Sequence, residues 1–264
     1  MGKMPILETA RGAFNVVFYN LASLIKAGAI PLSLMVVVDI LSAIAVSLMA
    51  GFGTNMAGGM QGGASMGAGM AILGVVNLVV SIALFIAMVA FSTAWIRFTL
   101  SVADGVMPRL GLRWGRPEWL YLGYGVAYAI ASVVVVLVLV TPLTFIALFL
   151  APVIGLVASL AVMYLVLRLG FVFPAVAMGE ESNPVLSWKQ TADGHLHLFA
   201  IVILCVLPFM VAGLILGILG GFMPILVVGI LIALIKAALS FLGLAVAVAA
   251  LSLCYRGMTG FRVR

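Results

Sequence analysis

From Ala27 to Ile96 the only charged side chain is Asp39, and from Trp119 to Leu167 there is none. A third stretch, Leu198 to Tyr255, carries Lys236 alone. A soluble domain needs roughly 25% charged residues to cover its surface. This chain of 264 residues has 8%, against 66% hydrophobic. Soluble enzymes, disordered chains and nucleic-acid-binding modules are excluded by that comparison.

A helix crossing a bilayer needs about 20 apolar residues at about 1.5 Å of rise each. Six runs meet this, at about 29–50, 71–96, 119–140, 143–167, 198–220 and 223–254. The fourth is interrupted near Pro142 and Pro152, which leaves a shallow re-entrant pair with 119–140 as the alternative. The expected fold class is therefore all-α: a polytopic membrane protein forming one integral membrane domain over 1–264. The first run begins near residue 29 and exceeds the length of a signal-peptide core, so it reads as a retained span.

The net charge of +6 is distributed by topology. All but one of the 13 Lys and Arg fall in four segments: the N-terminal stretch, 97–118, 168–197 and the tail. The connections 51–70, 141–142 and 221–222 carry no charge. Basic residues collect on the cytoplasmic side of membrane proteins, so both termini are expected there. Arg11, Lys26, Arg109, Arg113, Arg116 and Arg256 are expected to face the anionic leaflet. The basic balance thus points to membrane lipid and not to nucleic acid.

Residues 5–26 place Phe14, Val17, Phe18, Leu21, Leu24 and Ile25 on one helical face. Glu8, Arg11, Asn15, Tyr19, Ser23 and Lys26 fall largely on the other. This predicts an interfacial helix lying on the cytoplasmic leaflet, turned into the membrane at Gly28 and Pro31. Packing on cytoplasmic loops is the competing reading. Basic residues 101–118 and the Asn183-capped segment 183–195 repeat the plan, which suggests three units of surface helix plus hairpin. Residues 51–70, with eight glycines in 20 residues, read as a flexible outward-facing linker. Its methionines at 56, 60, 66 and 70 lack His or Cys partners for a soft-metal site.

Helices associate in lipid through small residues and polar contacts, because lipid is as apolar as leucine. Span six offers Gly229, Ala233, Lys236, Ser240, Gly243, Ala247, Ala250 and Cys254 as one stripe. Span five has Gly213, Gly217 and Gly221, and span two Ala83, Ala87, Ala90 and Ala94. These are read as intramolecular packing faces. Asp39 and Lys236 are the two intramembrane charges. A salt bridge between spans one and six is the structural reading, an ion or proton relay the functional one, and snorkelling of Lys236 a third. Asn77 and Ser81 are the extra polar groups of span two.

Catalytic motifs are missing, and no metal or cofactor site is expected. His195 and His197 read as interfacial, Glu180, Glu181 and Asp193 as a solvated turn, and Cys205 and Cys254 as reduced thiols in apolar helices.

Residues 164–199, YLVLRLGFVFPAVAMGEESNPVLSWKQTADGHLHLF, carry a recognisable pattern. Arg168, Pro174–Ala175, Gly179–Glu180, Ser187–Trp188, Thr191 and Gly194 resemble the motif of bacterial six-span inner-membrane proteins that include the membrane domain of glycerophosphoryl diester phosphodiesterases. The start, AFNVVFYNLASLIKAGAIPLSLM, is similar to that group's amphipathic entry. The resemblance implies a bacterial inner membrane and a module without catalytic assignment. The expected function is a non-enzymatic accessory, scaffold or assembly protein contacting lipids, other membrane proteins or itself. The alternatives are a small transporter or channel using Asp39 and Lys236, and membrane shaping by the surface helices.

Overall fold

With no water in the bilayer core, every backbone N–H and C=O must pair within the protein, which a helix achieves locally. The computed structural model describes the backbone of residues 5–55, 63–107, 114–135, 137–138, 141, 151–222 and 226–263, with no strand among them. Its helices are α1 (Ile6–Tyr19), α2 (Leu21–Asn55), α3 (Gly63–Ala103) and α4 (Arg116–Val135), then α5 (Ala151–Leu169). Short α6 (Val172–Ala177) and α7 (Pro184–Gln190) lead to α8 (His195–Phe222) and α9 (Leu226–Thr259). Six stretches are long and apolar enough to cross a bilayer: Leu21–Ser42, Ile72–Ala103, Arg116–Val135, Val157–Ala177, His195–Leu219 and Val228–Thr259. The chain is an all-α, multi-pass membrane protein.

Several boundaries differ from expectation. α2 runs through Pro31 without ending, so the turn expected at Gly28 and Pro31 is absent. The break falls at Asn20, whose side-chain amide donates to Val16 O at 2.8 Å while its own N–H reaches Val17 O. Those bonds take up carbonyls that the end of α1 leaves open. Gly28 serves a different purpose: a Cβ built there would overlap the ring of Phe241 on α9. It is a packing notch.

The glycine-rich segment also departs from a 20-residue linker. α2 continues to Asn55, and α3 starts at Gly63 through the glycines at 63, 67 and 69. Glycine in a helix costs about 1 kcal/mol relative to alanine, but an unpaired backbone group in hydrocarbon costs several. Met56 and Met60 lie outside the described residues, as do residues 142–150, on which the re-entrant alternative turned.

α9 is the central helix, packed against α1, α2, α3 and α8. α4 attaches through α6 and α3, and α5 through α7 and α8. Packing is concentrated at the charged end. Along α3, Ala83 is exposed, Ala87 and Ala90 are half-buried, and Ala94 is buried. Phe91 and Trp95 beside it are fully enclosed. There Phe91 meets Phe241 at 4.8 Å between ring centroids, Trp95 stacks on Phe98 at 5.0 Å, and the indole N–H donates to Ala245 O at 3.0 Å.

α1 packs into this end. Ala10, Ala13 and Val17 are buried against the bundle, and Gly12 sits over Leu253 of α9. Its expected membrane-facing side is thus split: Val17 turns inward while Phe18 and Ile25 stay exposed. Small residues decide the inner face because only they let two backbones approach closely.

Candidate functional site at the charged end of the bundle

The segment between α5 and α8 folds as a hydrogen-bonded cap. Asn183 caps α7, accepting from Leu186 N–H at 2.8 Å, with Pro184 as the first helical residue. Ser187 donates to Arg168 O at 2.9 Å, and Thr191 reaches the same carbonyl at 3.2 Å. The Arg168 guanidinium lies 3.5 Å over the Trp188 ring. Gly194 leaves room for Met258, where a Cβ would collide with the thioether. Thus Arg168, Ser187, Trp188, Thr191 and Gly194 lock one turn onto the ends of α5 and α9.

Gly179 takes a left-handed φ of 79°, a conformation that glycine adopts without Cβ strain, and so turns the chain after α6. This delivers Glu180 to α9, where Tyr255 donates its hydroxyl to Oε2 at 2.6 Å. His195 Nδ1 lies 2.8 Å from Ala192 O and its ring meets Tyr164 edge-on, an interfacial turn position.

Two acidic residues of the 97–118 region hold the other elements together. Glu118, 2% exposed, pairs with Arg97 at 2.8 Å and accepts from Gly115 N–H at 2.9 Å. The second bond reaches back across the first turn of α4, as in a capping box. Arg97 Nε also donates to Ala177 O at 2.7 Å, so one guanidinium joins α3, α4 and α6.

Asp104 pairs with Arg256 at 2.7 Å and accepts from Val263 N–H at 2.7 Å, tying the tail to the end of α3. Burial pushes the Asp104 carboxyl up. The Val263 N–H bond, the Arg256 bond and the charges of Arg256 and Arg262 outweigh it and hold the pKa below the usual value.

Beside this network lies a cavity of about 670 Å³ between the start of α4 and the α6–α7 connection. Arg116, Tyr124, Glu180, Glu181, Ser182 and Leu186 are among its lining residues.

The expected site residues distribute unevenly. Asp39 is half-buried on α2, and Lys236 is exposed on neighbouring α9. No ion pair closes between them. The expected salt bridge fails because Lys236 faces outward.

In the α9 stripe, Ala233 is buried and Gly243 receives Phe209 of α8 at 3.1 Å from a built Cβ. Ser240 is exposed, Ala247 half-buried, and a Cβ at Gly229 would meet nothing. The true inner face adds Ala237, Phe241 and Ala245. A Cβ at Gly213 or Gly217 also meets nothing among the described residues, and the surroundings of Gly221 lie outside them. Among the described residues, the Ser81 hydroxyl donates to Asn77 Oδ1 at 3.5 Å, and neither side chain bonds to another helix.

Of the basic residues, Arg11, Lys26 and Arg116 are exposed, while Arg109 and Arg113 lie outside the described residues. Arg256 does not face a leaflet freely, because Asp104 holds it. Glu118 and Asp104 enter the sequence pattern only as two acids that lower the net charge of the basic 97–118 segment. Their signal was an acid embedded in a basic segment beside a span end. Trp95 and Tyr255, both buried, gave none beyond their place near the charged end. Comparison with protein-family models, with curated proteins and with solved structures returns no match.

Proposed function

We propose that the chain is a non-enzymatic accessory or scaffold protein of a bacterial inner membrane, with its charged end in the cytoplasm and lateral contacts along its far half. One observation carries the reading: the contrast between the two ends. The charged end is closed by ion pairs and aromatic packing, whereas Gly213, Gly217 and Gly229 leave notches on α8 and α9 that no described residue fills. Notches of this kind let another helix approach closely. Arg11, Lys26 and Arg116 are placed to meet an anionic leaflet.

The test is a Gly217→Cys variant treated with a bifunctional thiol crosslinker in native membranes. The buried Cys205 and Cys254 provide the background. Adducts of discrete mass support the reading. A chain that stays monomeric at every crosslinker length, and purifies alone in mild detergent, overturns it.

The second reading, a small transporter or channel, is favoured by the placement of two ionisable groups, Asp39 and Lys236, within apolar spans. Loss of flux in Asp39→Asn proteoliposomes with unchanged melting would decide for it.

A further inference from the structure

The cavity at the start of α4 holds opposite charges that do not meet. Arg116 is exposed and forms no ion pair among the described residues, although Glu180 and Glu181 line the same space. Glu180 is fixed in place by the Tyr255 hydroxyl at 2.6 Å, which leaves its other oxygen free to accept. Tyr124 fixes the loop by donating to Ser182 O at 3.1 Å, while the buried Ser182 Oγ has no partner. A volume of about 670 Å³ falls within the range that accepts small ligands.

The position narrows the ligand. Arg116 opens one candidate span and Val176 lies one residue from the end of another, so the cavity lies at the ends of two candidate spans. Leu120 and Leu186 line it and are themselves exposed, giving an apolar path outward along α4. A ligand suited to all of this has an anion for Arg116, a hydrogen-bonding cation for the glutamates, and acyl chains leaving past Leu120.

We infer that the cavity binds a zwitterionic phosphate–amine headgroup, of the kind carried by a primary-amine phospholipid such as phosphatidylethanolamine. A quaternary ammonium has no N–H to donate and is recognised by aromatic cages, and Tyr124 is the single aromatic among the described lining residues. Among the described lining residues, an anionic lipid would meet two carboxylates against one guanidinium. This inference does not rest on the scaffold reading.

The experiment uses the full chain in nanodiscs and in mild detergent, with retained lipid read by native mass spectrometry. Phosphatidylethanolamine, phosphatidylcholine and phosphatidylglycerol are offered at equal concentration. The expected result is at least a tenfold preference for the ethanolamine lipid, reduced at least fivefold in Glu181→Gln and in Arg116→Gln. Both side chains are exposed, so melting should hold; if one variant fails to fold, the other carries the test. Soluble phosphoethanolamine forms a further arm. Displacement of the lipid by it at equal concentration would assign the site to the free zwitterion, and weak displacement to the lipid. Equal retention of all three lipids, or wild-type preference in a folded variant, overturns the inference.

Discussion

Replacing Gly28 by alanine tests the packing of the bundle more sharply than any charge reversal. Gly28 lies inside α2, where alanine is favoured over glycine by about 1 kcal/mol. A hinge or an open helix surface would therefore yield a neutral or stabilised variant. In this structure the new Cβ meets the Phe241 ring, which is 3% exposed and already packed on the fully buried Phe91. The ring is enclosed on its other side by Phe91, so either the ring or the two helices must shift to admit the new Cβ. Overpacking of this kind costs about 1–3 kcal/mol, so the net effect should be a destabilisation of up to about 2 kcal/mol.

Gly213→Ala is the matched comparison, since a Cβ there meets nothing and helix propensity alone should act. The same chemical change is thus expected to have opposite signs at the two positions. Thermal unfolding in mild detergent, followed by tryptophan emission, reads both. A second check is Gly28→Ala combined with Phe241→Leu, which should recover part of the loss through coupling. A Gly28→Ala protein as stable as Gly213→Ala would refute the reasoning.

The remaining expectations concern the charges. The lowered Asp104 pKa contributes stability above the ordinary carboxylate value, about 3.9. That contribution is lost as pH falls through the native value, so Asp104→Asn should flatten the acid side of a melting profile below about pH 4. Glu118→Gln leaves Arg97 without its counter-charge, and its 29% exposure limits the loss to about 1–3 kcal/mol by chemical unfolding. For Asp39→Asn and Lys236→Met, a double-mutant cycle should give a coupling below about 1 kcal/mol, as no contact is made. A coupling above about 2 kcal/mol would mean that the pair closes.

The spans were legible in the sequence because charges have to reach water and long apolar runs have nowhere else to go. The helix-facing sides were not. On α9, Gly229 and Ser240 look no different in pattern from Ala233 and Gly243, and lipid and protein are equally apolar neighbours. Size complementarity decides the face, and the partner of Gly28 is Phe241, far along the chain. The charged end poses the same difficulty. Asp104 is recognisable as an acid in a basic segment, but its bond to Val263 follows from where two distant ends meet. By contrast, Asn183 and Pro184 announced their helix start locally, and the cap forms there.

The packing of α1 and α2 against α9 sets an order of events. Synthesis delivers the first helices long before the last one, so Leu24, Ala27, Phe91 and Trp95 enter the membrane with their final neighbour missing. Until α9 arrives, the notch at Gly28 is empty and the Trp95 indole N–H has no Ala245 carbonyl to bond. The contacts that α2 and α3 make with α9 can therefore form only once α9 is inserted. The last helix acts as a keystone. A change on α9 that leaves its insertion intact but blunts its inner face would be felt first as failed closure, and as clearance of a chain whose every span is in place.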